Sequence, residues 1–358
     1  MILLRVGLIF GGNSPEHRVS VASALSIINQ HNSSDILLDV FGVSEGGAWL
    51  SPEETRSRLE KIQKSGWGSL GTDTEPTIFH NSNVINGLEK CDVIFPIIHG
   101  NSGEDGTLQG LLWFLGKPYV GSGVSASAAG MNKATMRALF AAHGISQTKY
   151  LTIDYVDSSA ELKLQISEIE SKLAYPLFVK PASAGSSIGV SKTHNSEELL
   201  DGLINALEYD SQLLVEETLT GRELECGVIE LSSLSATPLG EVRTTNEFYD
   251  YSSKYMDEST TIIVPALVEK EIQQQIQMMA IQAFRAVGAK GYARVDFFLS
   301  HDDKINCIEI NTHPGFTSTS MFPKLCSEFG LDYPDLISAL VETANQITPR
   351  RNFESISL

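Results

Sequence analysis

The chain has 358 residues, with 44 acidic against 26 basic side chains and a formal charge of -18. Its length suits two or three subdomains around a substantial core. The charge excludes a nucleic-acid or anionic-membrane surface, which needs clustered Lys and Arg, but not a nucleotide site, which needs only local positive charge.

Arg5–Phe10 reads as a buried parallel strand, followed by a Gly11-Gly12-Asn13-Ser14-Pro15 turn and a helix from about Glu16 or Val19. A strand, glycine turn and helix in that order can hold a ligand at the free N–H groups of the helix start, and an ordinary βα turn has the same pattern. Ile36–Val43 is the next strand. Ser51 to Asp73 is polar, a helix and loop, and Thr77–Phe79 is a short strand. Val93–Ile98 is a buried strand ending at His99-Gly100, and a glycine-bracketed loop leads into helical spacing over Thr107–Leu115. Glu104 and Asp105 stand near that helix start, where the dipole favours negative charge, so capping alone would account for them.

Pro118–Gly121 reads as strand and turn, and Ser125–Gly144 as helical. Within that helix Lys133, on pattern alone, is a solvated surface lysine. Pro176–Pro181 is an apolar strand reaching Lys180. The loop after it, Ala184-Gly185-Ser186-Ser187-Ile188-Gly189, could let backbone N–H groups approach phosphate, with serine donors and the Lys180 charge beside them. It lacks the Walker order, and a hairpin tip has the same composition. Glu197–Ala206 is a surface helix, Leu213–Glu217 and Glu223–Glu230 are strands, Glu269–Val287 a long amphipathic helix and Tyr333–Ala344 the last helix. The four cysteines, Cys91, Cys226, Cys307 and Cys326, have no metal spacing and read as buried free thiols in a reducing, cytoplasmic setting. No apolar run approaches a membrane span.

The stretch from Ala293 to Met321, ARVDFFLSHDDKINCIEINTHPGFTSTSM, carries the most chemistry. It reads as two strands, Ala293–Leu299 and Asn306–Ile310, with Arg294, Asp296, Glu309 and Asn311 at period two. If the strands pair, one face presents oxygen ligands of the kind Mg²⁺ takes, with a guanidinium beside them. A half-solvated hairpin is the plain alternative.

R-x-D, E-x-N-T and P-G-F-T-S in this stretch closely resemble the metal and oxyanion segment of D-alanine–D-alanine ligases, in the ATP-grasp superfamily. GGNSPEHRVS near the start and HGNSGEDG at His99 resemble further motifs of that family, so the likeness covers nearly the whole chain. The resemblance implies an α/β ATP-grasp fold of three subdomains: an N-terminal open-sheet domain over 1–132, a central lid over 133–215 and a C-terminal ATP-grasp and metal-binding domain over 216–358. It implies an ATP-dependent ligase that phosphorylates a first substrate and couples it to a free amino acid, releasing ADP and phosphate. Lys133, Lys180, Ser186 and Ser187 would contact ATP phosphates, and Glu216, Glu217, Leu219, Glu223 and Phe298 would surround its purine and ribose. Asp296, Glu309 and Asn311 would hold two Mg²⁺ ions. Arg294 and the N–H of Gly315 would stabilise the oxyanion. Ser186 and Tyr255 would close the site, and Lys254 would reach phosphate or a substrate carboxylate. Ser320 would hold the carboxylate of the incoming amino acid, Met321 would touch its side chain, and His99 would lie beside the first substrate. The partners implied are small molecules and a second copy of the chain, a homodimer.

The chain departs from the family's words at two substrate positions. Where the family places an acid to meet the ammonium of the first D-alanine, the fourth place of P-E-H-R-V-S holds Arg18, and two like charges at close range repel by about a few kcal/mol. His313 takes the place of a small or apolar residue. Two readings stay open. The first substrate lacks an ammonium, as in ligases that join serine or threonine to mycosporine-glycine; or Arg18 turns to solvent, Glu16 takes the ammonium, and the chain is an ordinary D-alanine–D-alanine ligase. A catalytically silent ATP-binding regulator would have lost Lys133, Lys180, Asp296, Glu309 or Asn311, and all five are present.

Overall fold

The computed structural model describes residues 3–154, 159–243 and 261–346. The first sheet is parallel, with β1 (Leu4–Gly11) central between β2 (Ile36–Val43) and β3 (Val93–Pro96). Its strands are apolar almost throughout because helices cover both faces. Val6, Leu8 and Phe10 pack with Val21 and Leu25 of the helix His17–Gln30, while Ile9 and Phe41 turn to the opposite core with Leu88, Leu108 and Leu112.

The second sheet is antiparallel, in the order β4-β7-β5-β6: β4 (Tyr150–Asp154), β5 (Leu177–Pro181), β6 (Ser191–Thr193) and β7 (Gln212–Glu217). The helices Ser159–Lys172 and Ser196–Leu207 close its core through Ile166, Ile169, Leu199 and Leu203. The third sheet, also antiparallel, runs β10-β9-β8-β11-β12: β8 (Gly221–Glu230), β9 (Leu234–Arg243), β10 (Thr261–Ile263), β11 (Tyr292–Ser300) and β12 (Ile305–Asn311). One of its faces is buried under the helices Lys133–Ala142 and Lys270–Ala286, with Phe140, Ile276 and Phe284 against Leu224, Val295 and Phe297. The other face is polar and forms the floor of the site.

Three local expectations change. Thr77–Phe79 is not a strand: Ile78–His80 form a single 3-10 turn, too short to ladder. The helix expected over Ser125–Gly144 is two helices, Val124–Met131 and Lys133–Ala142, broken at Asn132, whose side-chain oxygen caps the second by accepting from the Thr135 N–H at 2.8 Å. Lys133 therefore opens a helix instead of standing mid-face. Pro118–Gly121 pairs only at Tyr119, opposite Ile94. The sequence pattern also conceals β9, which carries Pro238; a proline is tolerated there because the β8–β9 register slips between Cys226 and Val228.

Packing also crosses the expected subdomain limits. The helix Lys133–Ala142 shares the core of the third sheet, and Tyr333–Gln346 returns to the first, with Leu336, Ile337 and Leu340 beside Val6 and Phe95. All four cysteines are buried free thiols. Among the described residues, no helix is long and apolar enough to cross a membrane.

Candidate active site

The polar face of the third sheet is built by register. Arg294 stands opposite Asn311 and Asp296 opposite Glu309 across β11–β12, while Glu225 of β8 stands opposite Asp296 on its other side. Paired residues share a face, so one row carries Glu225, Asp296 and Glu309 and the next carries Arg294 and Asn311. A register shift follows Asp296, so the matched pairing breaks just beyond these rows.

Arg294 joins these groups. Its Nε and Nη2 donate to the two oxygens of Asp296 at 2.7 and 2.6 Å, and Nε lies 2.9 Å from Glu225. Burial alone would lower its pKa, but Asp296 and Glu225 more than reverse this and hold the guanidinium firmly charged. Asp296, Glu309 and Asn311 offer oxygen donors only, from adjacent strands beside open space. That suits Mg²⁺ completed by water and phosphate oxygens. Among the described residues, no group of three or more His, Cys, Asp or Glu side chains could hold a metal ion by itself.

Between the second and third sheets lies a cavity of about 700 Å³. Lys133, Lys180, Ser186 and Ser187 line one side; Glu216, Glu217, Leu219 and Glu223 line the hinge between β7 and β8; Phe298, Asp296 and Glu309 line the floor. Lys133 Nζ donates to the Ala184 carbonyl at 2.6 Å, which fastens the helix start to the glycine-serine loop. Ser186 and Ser187 both adopt the left-handed region, φ 50° and 58°, a conformation costing about 1–2 kcal/mol per non-glycine residue. Glu216 is buried between Lys180 Nζ and Arg137 Nη2, each at 2.5 Å. Burial would raise its pKa, but the two cations reverse that and keep it ionised.

A smaller cavity adjoins this one, lined by Glu16, His99, Glu104, Ser186, Arg294 and Gly315 among others. Glu16 enters it and accepts a hydrogen bond from Ser186 Oγ at 2.5 Å. Arg18 does not face it. Its side chain is 53% exposed, lies 3.9 Å from Glu45 and lines a separate surface hollow with Pro15 and Trp67. The helix starts at His17, with Glu16 at its N-cap position; the Glu16 side chain makes no capping hydrogen bond and turns to Ser186 instead, while Arg18 points outward. The expected repulsion between Arg18 and an ammonium is thereby removed, and with it the reason for a first substrate lacking one.

His99 is held at both nitrogens: Nδ1 lies 3.2 Å from Glu104 Oε1 and 3.2 Å from the His313 carbonyl, and Nε2 lies 3.2 Å from Ser23 Oγ. Burial would lower its pKa, yet the Glu104 contact leaves it raised. Asp105, in contrast, accepts from the Ser102 and Thr107 N–H groups, a turn and helix-start role. The His313 side chain does not reach the cavity. It is buried behind His99, its Nδ1 3.4 Å from the Tyr292 hydroxyl, and burial lowers its pKa to about 3, so the ring is neutral.

A third cavity, of about 470 Å³, opens from Arg294 and Gly315 past Ser320 and Met321 to Val242 and Ile262. Arg294 thus borders all three spaces. Lys254 and Tyr255 lie outside the described residues. Sequence reasoning missed Arg137 and Glu225. Arg137 stands four residues after Lys133 on the same helix face, and Glu225 two residues after Glu223 on one strand face, so both periodicities carried the signal.

Comparison with known proteins agrees over nearly the whole chain. Residues 5–122 match the family model of the D-ala D-ala ligase N-terminus and residues 139–342 that of the C-terminus. The D-alanine–D-alanine ligase of Geobacillus kaustophilus is 41% identical over 95% of this chain and 94% of its own length, and that of Halothermothrix orenii 42% identical over 96% and 99%. Among solved structures, the D-alanine–D-alanine ligase of Coxiella burnetii aligns with a TM-score of 0.77 at 30% identity, covering 97% of this chain and 95% of that one. The VanG D-Ala:D-Ser ligase of Enterococcus faecalis aligns with a TM-score of 0.79 at 31% identity, covering 95% and 99%. Sequence motifs, fold and site geometry converge on one assignment: the chain is a member of the D-alanine–D-alanine ligase family, ATP-dependent ligases of the ATP-grasp fold.

Proposed function

We propose that this protein joins two D-alanine molecules at the expense of ATP, forming D-alanyl-D-alanine, ADP and phosphate, the dipeptide serving peptidoglycan synthesis. The observation that carries the reading is the meeting of three spaces at Arg294, one sized for a nucleotide and two suited to small amino acids.

ATP occupies the large cavity with its purine at the hinge of Glu216 to Glu223 and its phosphates under Ser186 and Ser187. Asp296, Glu309 and Asn311 would hold Mg²⁺, two ions by resemblance, which would supply charge to neutralise the phosphate oxygens. Lys133 and Lys180 add point charges to the transferring group. Glu16 receives the ammonium of the first D-alanine, and His99 flanks it. The first carboxylate oxygen attacks the γ-phosphorus and ADP leaves, giving an acyl phosphate. The free amine of the second D-alanine, its carboxylate held by Ser320 and Lys254, then attacks the carbonyl carbon. Arg294 and the Gly315 N–H take the oxyanion charge as it forms, and phosphate departs. Ser186 and Tyr255 close the site against water, which would hydrolyse the acyl phosphate. No enzyme nucleophile enters the sequence of bonds.

The protein works in the cytoplasm, where ATP is available, and as a homodimer; the exposed Trp113 and Phe114 are candidates for apolar contact between copies. ADP release on adding D-alanine alone, matched mole for mole by dipeptide, supports the activity. Release that needs a non-amino-acid partner would move the assignment to another acceptor.

A further inference from the structure

The helix Met321–Glu328 lies over β8 and β9 on the site side of the third sheet, and it approaches the strands at two glycines. Gly240 stands opposite Glu225, and Gly227 opposite Arg294, so both belong to the face that carries the catalytic rows. A Cβ on Gly240 would fall 2.3 Å from Met321 Sδ, 2.9 Å from its Cε and 3.2 Å from Leu325 Cδ2. A Cβ on Gly227 would fall 3.4 Å from Phe322 Cε2, in ordinary contact with the same helix, and 2.9 Å from Thr237 Cγ2. Neither glycine has a positive φ, so the backbone does not demand glycine at either place. The demand at Gly240 comes from the helix above it.

Met321 is the first residue of that helix and closes the third cavity together with Val242 and Ile262. It sits between Gly240 and the cavity. Leu325, one turn further on, is wholly buried and blocks retreat along the helix. A side chain at position 240 would therefore drive the flexible end of Met321 towards the cavity that it lines. We propose that Gly240 is a specificity-determining position for the second amino acid: its missing Cβ lets Met321 lie back and leaves room for the methyl group of D-alanine. The proposal rests on reading this cavity as the second subsite.

The test is an internal competition. The enzyme and its Gly240→Ala variant receive ATP, D-alanine and glycine together, and the ratio of D-alanyl-D-alanine to D-alanyl-glycine is read by mass spectrometry. Both products share the first step, so the ratio reports the second subsite alone. Crowding by Met321 should shift the variant's ratio towards D-alanyl-glycine by about ten-fold, the scale of a single methyl in an apolar pocket. Met321→Ala added to Gly240→Ala should restore the original ratio. An unchanged ratio in Gly240→Ala, or a shift that Met321→Ala does not reverse, overturns the proposal. Should Gly240→Ala fail to fold, the double variant removes the clash and Met321→Ala alone runs the measurement in reverse. Widening must then admit D-2-aminobutyrate as second substrate about ten-fold better, and no gain overturns the proposal. An unsubstituted enzyme that makes no dipeptide sinks the ligase reading instead, and this proposal with it.

Discussion

Ser186 donates its hydroxyl hydrogen to Glu16 across 2.5 Å, joining the glycine-serine loop after β5 to the turn after β1. The contact puts a carboxylate, not the neighbouring Arg18, at the first-substrate cavity. In the function proposed above, it links the part of the cleft that meets phosphates to the part that meets the first amino acid. Substitution separates the two neighbours. Glu16→Gln should raise the KM for the first D-alanine by about 30-fold, the cost of losing a half-buried charged partner. Arg18→Ala, at an exposed position, should leave kcat/KM and stability within about 0.5 kcal/mol of the original. Initial rates over a range of D-alanine concentrations check both.

Asp296 faces both Arg294 and the space where phosphates lie. Asp296→Asn keeps the shape and removes the charge. Binding of Mn²⁺ in the presence of ATP, followed by electron paramagnetic resonance, should weaken by about ten- to 100-fold. An affinity equal to that of the unsubstituted protein would remove Asp296 from the metal site.

Arg137 ties three segments together: Nη2 binds Glu216 on β7, Nη1 donates to the Cys307 carbonyl on β12 at 2.9 Å, and its own helix packs under the third sheet. Arg137→Met leaves the Glu216 charge buried with Lys180 as its remaining cation, and should cost about 3–5 kcal/mol in urea unfolding. Adding Glu216→Gln should recover part of that loss, because the uncompensated charge is then gone.

His17 gives a pH dependence of definite sign. Its Nδ1 donates to the Gly12 carbonyl at 2.8 Å and its Nε2 accepts from the Leu70 N–H at 3.0 Å, an arrangement only the neutral ring can make. Burial lowers its pKa below 6.5. The unfolded chain takes up a proton as pH falls through 6.5 while the folded ring does not, so the contribution is full above 6.5 and is lost progressively below it, down to the depressed folded value. His31 and His313 have lowered pKa values and share that sign; His99 has the opposite one. The attribution therefore rests on His17→Gln, whose melting temperature should fall less than the original's between about pH 7 and pH 5.

Much of this site can be read from residue order because it is built by strand periodicity. Alternation alone puts Arg294, Asp296, Glu309 and Asn311 on one face, and the observed register joins them as the pattern requires. Lys133 could not be read so directly. Its place depends on the helix break at Asn132, which apolar spacing over residues 124–142 does not mark. Arg18 misled for a related reason. A one-residue difference in where a helix begins decides whether a side chain enters the cleft or meets water, and composition does not resolve that. β9 stayed hidden because Pro238 breaks the local signal while the bulge that accommodates it is a tertiary feature. Arg137 lines the large cavity four residues after Lys133, a spacing that sequence reading passed over, whereas His313 is buried behind His99, a placement its position in the motif does not reveal.

The central claim is that the carboxylate of one D-alanine attacks ATP in this cleft and the amine of another displaces the phosphate. D-alanine labelled with ¹⁸O in its carboxylate, turned over with ATP, tests it directly by mass spectrometry of the phosphate released. The account predicts that the phosphate carries a labelled oxygen drawn from D-alanine, in step with dipeptide formation. Dipeptide accompanied by unlabelled phosphate would contradict it.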